Sequence, residues 1–279
     1  MGWGYKPSES KQAIRVNTMN IKQQTLIRRL ERRGVKLRKI QYLENGYFVD
    51  KAKFSLGATS EYLLGFYSIQ EAASQIPVTL LTDITDKIVL DACAAPGGKT
   101  VQMANLVSSK GAIVALDIDT QRLTALSNHL ERCNVSNVIA YCMDARKAHE
   151  LKMKFDCILL DVPCSGNFAA DENWFRNRIL KDVEANSKLQ KEILKEATQL
   201  LSAEGEMVYS TCSLEPEEDE INMQWAIENL GMIPQRIDCY GEAGVREIFG
   251  KKLDNSIANC RRIWPVETQG FFACKLKRD

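Results

Sequence analysis

The stretch "KIVLDACAAPGGKT", residues 87–100, decides how the chain folds. An apolar run ends on Asp91, a loop of small residues follows with Pro96, Gly97 and Gly98, and Lys99 and Thr100 open a helical pattern. A strand that feeds a helix through such a turn is the start of a βαβ unit, and its glycines let backbone approach a ligand closely. Further runs share the texture: "AIVALDID", "NVIAYCMDA", "FDCILLDVP", "GEMVYSTC" and "GFFACKL". Near-continuous apolar strands are buried on both faces, and helical patterns lie between them at 98–108, 120–133, 189–201 and 216–229. The alternation predicts an α/β fold built on a mainly parallel, doubly wound, Rossmann-like sheet. Ligands in such sheets bind outside the carboxyl ends of the strands.

Upstream of this sheet the texture differs. "AIRVNTMN" (13–20) reads as a strand and 22–33 as a basic helix with Leu26, Ile27 and Leu30 on one side. Two short strand-like runs then flank Asn45-Gly46, a dipeptide that favours a tight hairpin. Residues 54–70 read as loop, and 69–81 as a helix that Pro77 interrupts. The expectation is a small α+β appendage over 1–70 and a second domain over 71–279.

Composition supports a globular chain: 279 residues, 45% hydrophobic, with a formal net charge of +1. The charge is unevenly placed. Residues 1–53 hold thirteen basic side chains, from Lys6, Lys11 and Arg15 to Lys51 and Lys53, against Glu9, Glu31, Glu44 and Asp50. Such a segment suits phosphates, and it suits a solvated helix face equally well. No apolar run approaches a membrane span, "MGWGYKPSES" lacks the apolar core of a leader, and nine cysteines without a C-x-x-C pair read as reduced thiols. A cytoplasmic chain without membrane contact is expected. His129 and His149 are the only imidazoles, so no metal site is expected either.

The 90–100 loop lacks the G-x-G-x-x-G dinucleotide fingerprint. It also misses the phosphate-binding P-loop, whose first glycine would fall at Cys93. Acids recur at strand ends: Asp91, Asp117, Asp144 and Asp161. Asp117, at the tip of the second strand, is placed to grip a ribose diol. Asp144 is placed to meet an adenine amino group, or else caps its loop. A nucleoside without a pyrophosphate signature points to S-adenosylmethionine, cradled by Cys93, Ala94, Ala95, Pro96, Gly97, Gly98 and Lys99. Arg122 either frames that pocket or lies on the surface.

Two cysteines, Cys164 in "LLDVPCSG" and Cys212 in "VYSTCSLEPEEDE", fall at strand ends. With "RVNT", "YSIQEAAS", "DACAAPGGKT" and "GFFACKL", these blocks resemble the Sun family of RNA (cytosine-5)-methyltransferases over essentially the whole chain. The resemblance is strongest to compact archaeal proteins that modify transfer RNA. It implies that Cys212 is the nucleophile adding to cytosine C6, that Cys164 assists product release, and that Asp161, paired with Lys99, holds the base edge. It also implies an RNA-recognition-like appendage gripping transfer RNA, with Arg28, Arg29, Arg32 and Arg33 in the basic helix and Arg262 in "RRIWP" as contacts. Ribosomal RNA, or a methyltransferase-like RNA-binding protein without activity, are the alternatives. A monomer is expected.

The other cysteines, Cys133, Cys142, Cys157, Cys239, Cys260 and Cys274, carry no motif and read as small hydrophobes. The resemblance has a departure. Family members often continue P-C-S-G-x-G, whereas Gly166 is followed here by Asn167, Phe168 and a polar insert, 169–188. Within it, Trp174, Phe175, Arg176 and Arg178 either stack on bases or pack a helix. After Cys212, Ser213 and Pro216 suit a helix start, with Glu217, Glu218 and Asp219 at the positive end of its dipole; which way those carboxylates point, outward or toward the sulfur, is left open.

Overall fold

In a strand, successive side chains alternate between faces, and the N-terminal unit uses both. The computed structural model of the protein describes residues 10–171 and 173–279. Lys6, Glu9 and the residues read for a leader, together with Glu172 of the insert, lie outside the described residues. β1 (Ala13–Val16), α1 (Gln23–Arg32), β2 (Lys36–Lys39), β3 (Gly46–Lys51), α2 (Ser60–Leu63) and β4 (Tyr67–Ile69) build an antiparallel sheet ordered β2-β3-β1-β4. Ile14, Val16 and Tyr47 pack against Leu26 and Leu30 of α1, while Ala13 and Phe48 turn the other way, into the core of the larger domain. The appendage is thereby a layer on that domain.

Three sequence expectations fail here, the first over residues 54–70, which read as loop but hold α2 and β4. Lys39 pairs with Tyr47, so residues 40–45 form a six-residue connection and Asn45-Gly46 is not the hairpin turn. Gly46 opens β3 instead, where an added Cβ would lie 2.8 Å from Leu43 Cδ1. Pro77 does not interrupt a helix: it sits in the first turn of α3 (Ile76–Thr79), where its missing N–H leaves no bond unmade.

The larger sheet follows the apolar runs. Its elements are β5 (Ile88–Asp91), α4 (Gly98–Ala104), β6 (Ala112–Asp117), α5 (Thr120–Arg132), β7 (Val138–Cys142), β8 (Phe155–Asp161), α6 (Trp174–Asn177), α7 (Leu180–Leu200), β9 (Leu201–Thr211) and α8 (Glu220–Leu230). There follow β10 (Met232–Pro234), β11 (Glu242–Ala243), β12 (Glu247–Ile248), β13 (Lys251–Lys252), β14 (Arg261–Ile263) and β15 (Phe271–Arg278). The order is β11-β14-β15-β9-β8-β5-β6-β7, with β5 to β9 parallel and β15 antiparallel to β9. The fold is a Rossmann-like, mainly parallel α/β sheet with an antiparallel neighbour strand, β15. One face packs Leu90, Ile158 and Leu160 against Ile193, Leu194 and Ala197 of α7 and Met223 of α8; the other packs Val89, Ile113 and Leu159 against Met103 of α4 and Val78 of α3. The chain leaves β5 toward β6 and β7, then crosses back to β8, so the crevice opens beside the ends of β5 and β8.

α7 begins at Leu180, nine positions before the sequence places it, because the side it buries early includes Ser187 and Gln190 and shows no apolar period. α8 begins at Glu220 and not at residue 216; residues 214–219 are a connecting turn. The two units are joined by polar contacts that the basic count concealed. Arg15 is buried, donating from Nε to Gln70 Oε1 at 2.8 Å and from Nη2 to the Gly98 carbonyl at 3.3 Å, and burial pulls its guanidinium down to about 10. Arg38 donates to Glu267 at 2.8 Å and 3.2 Å, and Lys11 reaches the same carboxylate at 2.6 Å. Part of the basic excess therefore fastens the appendage and does not face solvent phosphate.

Candidate active site

The loop after β5 positions the site. Gly97 takes φ 98°, in the left-handed region, and an added Cβ would lie 2.6 Å from Leu126 Cδ1 of α5. Glycine is required here for helix packing. Ala94 N donates to the Leu116 carbonyl at 2.8 Å and Ala95 N to Asp117 Oδ2 at 3.2 Å, which ties the loop to the end of β6. Arg122 donates to the Ala95 carbonyl at 2.6 Å and lies 3.5 Å from Asp117, so it frames the pocket. Asp91 beneath the loop accepts from Thr100 Oγ1 at 2.7 Å, and burial pushes its carboxyl up to about 7.

A cavity of about 520 Å³ opens above these strand ends. Asp117, Ile118, Met143, Asp144 and Ala145 line one end, Cys93, Ala95, Pro96 and Asp161 the floor, and Cys164 and Cys212 the other end. Size and lining suit a small nucleoside: an acid at a ribose position, apolar walls for a purine, and carboxylates toward a cation. Asp144 caps the turn after β7, accepting from Arg146 N at 2.9 Å, and both its oxygens are engaged by the Arg146 side chain, whose hydrogen bonds hold its pKa below the usual carboxylate range. It borders the cavity with its lone pairs largely occupied.

The reactive end is a chain of contacts. Lys99 Nζ donates to Asp161 Oδ2 at 2.7 Å and to Ser74 Oγ at 2.9 Å, and Ser210 Oγ donates to Asp161 Oδ1 at 2.8 Å. Cys212, at the end of β9, has its sulfur 2.9 Å from Cys164 Sγ. The Cys164 thiol donates to Cys212 and holds the Cys212 pKa below the ordinary thiol range against burial; Lys99 works the same way and Asp161 opposes. The cost falls on Cys164, whose pKa is raised well above that range by the same hydrogen bond and by burial. A paired thiol and thiolate is what a nucleophile with a neighbouring proton donor requires. Cys93 is half-buried, its thiol pushed up by burial and by Asp91, and it forms part of the cavity wall.

The acids after Cys212 do not face outward. Glu218, Asp219 and Glu220 are fully buried. Glu218 accepts from Ser165 N at 3.1 Å and from Asn186 Nδ2 at 3.1 Å, so it holds the Pro-Cys loop. Asp219 accepts from Thr211 Oγ1 at 2.6 Å, and Glu220 and Asp219 clasp Arg262, with Arg262 Nε donating to Glu220 Oε1 at 3.0 Å. Arg262 also donates to the Leu214 carbonyl at 2.7 Å. Arg262 is 3% exposed and is thus withdrawn as an RNA contact: its charge balances buried carboxylates. Arg28, Arg29 and Arg32 of α1 and Arg33 just after it are all exposed, but Arg29 and Arg33 lie 3.0 Å and 3.3 Å from the buried Glu61 carboxylate and are paired with it. Within the insert, Trp174 is buried and donates to the Ser165 carbonyl at 3.0 Å, Arg178 pairs with Glu215, and Phe175 remains exposed.

The sequence offered no role for Asn167. Its amide donates to the Cys212 carbonyl at 2.7 Å and to the Gly270 carbonyl at 2.9 Å, bridging both thiol-bearing segments. Ser74 and Ser210 were equally unassigned, although both lie within quoted blocks. Among the described residues no group of three or more His, Cys, Asp or Glu is placed to hold a metal ion, and no helix is long and apolar enough to cross a membrane.

The fold is that of the S-adenosylmethionine-dependent methyltransferases, with a crevice at the strand ends where that class binds its cofactor. The chain belongs to the RsmB/F family: the description "16S rRNA methyltransferase RsmB/F" matches residues 78–277, and "N-terminal domain of 16S rRNA methyltransferase RsmF" matches residues 5–72. It is 34% identical over 95% of its length to the human "28S rRNA (cytosine(4447)-C(5))-methyltransferase", covering 34% of that protein. It is 33% identical over 96% of its length to "Ribosomal RNA small subunit methyltransferase F" of Aeromonas salmonicida, covering 58% of it. The chain thus spans from about a third to under two thirds of the length of these relatives. A methyltransferase homologue from Pyrococcus horikoshii superposes with a TM-score of 0.90 at 37% identity, covering 98% of this chain and 88% of that one. NSun6 from the same organism, solved with SFG, an S-adenosylmethionine analogue, superposes at 0.84 and 26% identity, covering 98% and 91%.

Proposed function

We propose that the protein transfers a methyl group from S-adenosylmethionine to C5 of cytosine in RNA, with Cys212 as nucleophile and Cys164 as the thiol that assists release. The observation that carries this reading is the pair of sulfurs 2.9 Å apart at one end of a cavity whose other end presents Asp117. Bound in that cavity, S-adenosylmethionine supplies a methyl group on a positively charged sulfur. The thiolate of Cys212 adds to C6, and protonation at N3 lets the ring accept the sulfur as an enamine with electron density at C5. Asp161, fixed by Lys99 and Ser210, holds the base edge near N3. When C5 takes the methyl group, the neutral thioether S-adenosylhomocysteine is left behind; water then takes the C5 proton, N3 gives its proton back, and the C6–S bond breaks with its electrons on Cys212 as thiolate, returning the ring to aromaticity. Cys164, a protonated neighbour, assists that departure. Asp117 and Arg122, with the loop 93–99, hold the nucleoside; Asp144 borders it.

Reaching C6 requires the cytosine to leave its stack, which favours unpaired or locally opened RNA. Residues 1–70 act as the RNA-gripping appendage and 71–279 as the catalytic unit, with Arg28 and Arg32 the freest arginines of α1. Ribosomal RNA is the substrate supported by the relatives' names. Transfer RNA, implied by the resemblance to compact archaeal proteins, is the second reading. Incubation with labelled cofactor and separated ribosomal and transfer RNA decides between them. Label in C5 of cytosine is expected, and no label in either RNA refutes the activity.

A further inference from the structure

β12 and β13 form a hairpin whose function the active site does not use. Ile248 pairs with Lys251, so the turn has two residues, Phe249 and Gly250, with φ 52° and 76°. Left-handed backbone at both central positions is the hairpin geometry that asparagine and glycine favour. A bulky aromatic there is strained, and such strain persists at sites held for a purpose. Phe249 is nevertheless 75% exposed, at the rim of a groove of about 390 Å³ lined also by Trp225, Lys191, Lys251 and Lys252. None of these three lysines forms an ion pair among the described residues. The groove's acid, Glu228, accepts from Gln224 at 2.7 Å, and Glu247 sits on the hairpin stem.

We propose that this hairpin is a second RNA-contact site, in which Phe249 stacks on an unpaired base while Lys251 and Lys252, with Lys191 in the groove, contact the adjoining phosphates. The proposal rests on the RNA reading above and adds a place and a mode of binding to it. An aromatic face beside unpaired lysines is the chemistry that single-stranded RNA selects. The hairpin is also anchored to the catalytic frame. Val245 N donates to Glu220 Oε1 at 3.0 Å, and Glu220 clasps the Arg262 that bonds the Leu214 carbonyl beside Cys212. Lys191 also belongs to α7, the helix whose Leu189 and Ile193 line the catalytic cavity from another of its sides.

The test uses the full chain, a fluorescent single-stranded oligocytidylate for binding across a salt series, and the methyl-transfer assay above. Phe249→Asn relieves the turn, so its melting temperature rises while RNA affinity falls about tenfold, within the range one base–aromatic stack carries. Phe249→Trp keeps the affinity. Lys251→Gln with Lys252→Gln lowers the salt slope by about 1.4, the loss of two phosphate contacts on single-stranded RNA. All three variants keep wild-type kcat at saturating RNA, since no hairpin residue borders the catalytic cavity. A wild type that methylates RNA, with Phe249→Asn binding as tightly and the lysine variant holding its slope, overturns the hairpin site alone. A wild type that neither binds nor methylates RNA overturns the reading beneath it.

Discussion

The two thiol-bearing segments reach the same point by different means. Cys212 follows directly on β9, a strand paired on both sides, to β8 and to β15, so a sheet ladder sets its backbone. Cys164 lies in the irregular segment after β8, and side chains from elsewhere hold it. Glu218 takes Ser165 N, Gln190 donates to the Pro163 carbonyl at 2.8 Å, Trp174 donates to the Ser165 carbonyl, and Asn167 fastens the loop to Cys212 and Gly270. A backbone ladder tolerates substitution of its neighbours' side chains, whereas a loop held by four side chains depends on each. The assisting thiol is therefore the half of the site that distant substitutions should disturb first.

The largest effect should separate the two directly. Cys212→Ser is expected to abolish methyl transfer and to trap no RNA, since a hydroxyl cannot replace the thiolate. Cys164→Ser should stall after transfer and accumulate a covalent protein–RNA adduct, visible as a slow band on a denaturing gel. An adduct in the first variant and none in the second reverses the assignment. Next is the frame beneath both. Arg262→Ala leaves Glu220 and Asp219 buried without their cation, which should cost about 3–5 kcal/mol in denaturant unfolding. A loss below about 1 kcal/mol would show that the carboxylates take up protons instead and that Arg262 is not what stabilises them.

Much of this was legible in sequence, and the failures share a cause. The parallel strands announced themselves because burial on both faces leaves uninterrupted apolar runs, and each strand-end acid marked the crevice. The first half of α7 was hidden because its inward face includes Ser187 and Gln190, which bond Glu217, Asn222 and Pro163. The acidic run after Cys212 is compatible in sequence with a capped, outward helix start. What turns it inward is Arg262, 42 residues later, and Ser165, 53 residues earlier, and no local pattern encodes such partners. Arg262 looked like an RNA contact, and Arg15 counted toward the basic excess, for the same reason: a buried cation and a surface cation read identically until their partners are placed. Asn167 registered only as a missing glycine pattern, yet the side chain at that position spans the two loops.

Asn167 offers a finer cut through the comparison. Asn167→Ala removes the donor from two carbonyls, one of them that of Cys212, with an expected stability loss of about 1–3 kcal/mol. A merely structural role stops there. If the amide also sets the Cys164 loop against Cys212, kcat falls about tenfold at unchanged KM for RNA, a little over 1 kcal/mol of barrier, and the protein–RNA adduct lives longer. Wild-type turnover in a destabilised protein would restrict Asn167 to folding.

The smallest effect concerns the proton the two sulfurs share. In the free protein the Cys164 thiol is the leading cause of the lowered Cys212 pKa, and Lys99 adds to it while burial and Asp161 oppose. Alkylation by iodoacetamide follows the thiolate fraction, so its rate rises with pH through that pKa. Replacing Cys164 by Ala removes the donated hydrogen bond and leaves burial and Asp161 acting against Lys99 and the backbone hydrogen bond at Cys212; the alkylation profile of Cys212, followed by peptide mass, should move to higher pH. Lys99→Met should move it the same way by a smaller amount, because its cation is already neutralised by Asp161 at 2.7 Å. A profile that stays in place in the Cys164→Ala protein would mean that the strand end alone activates Cys212, and the sulfur contact at 2.9 Å would then serve release and not attack.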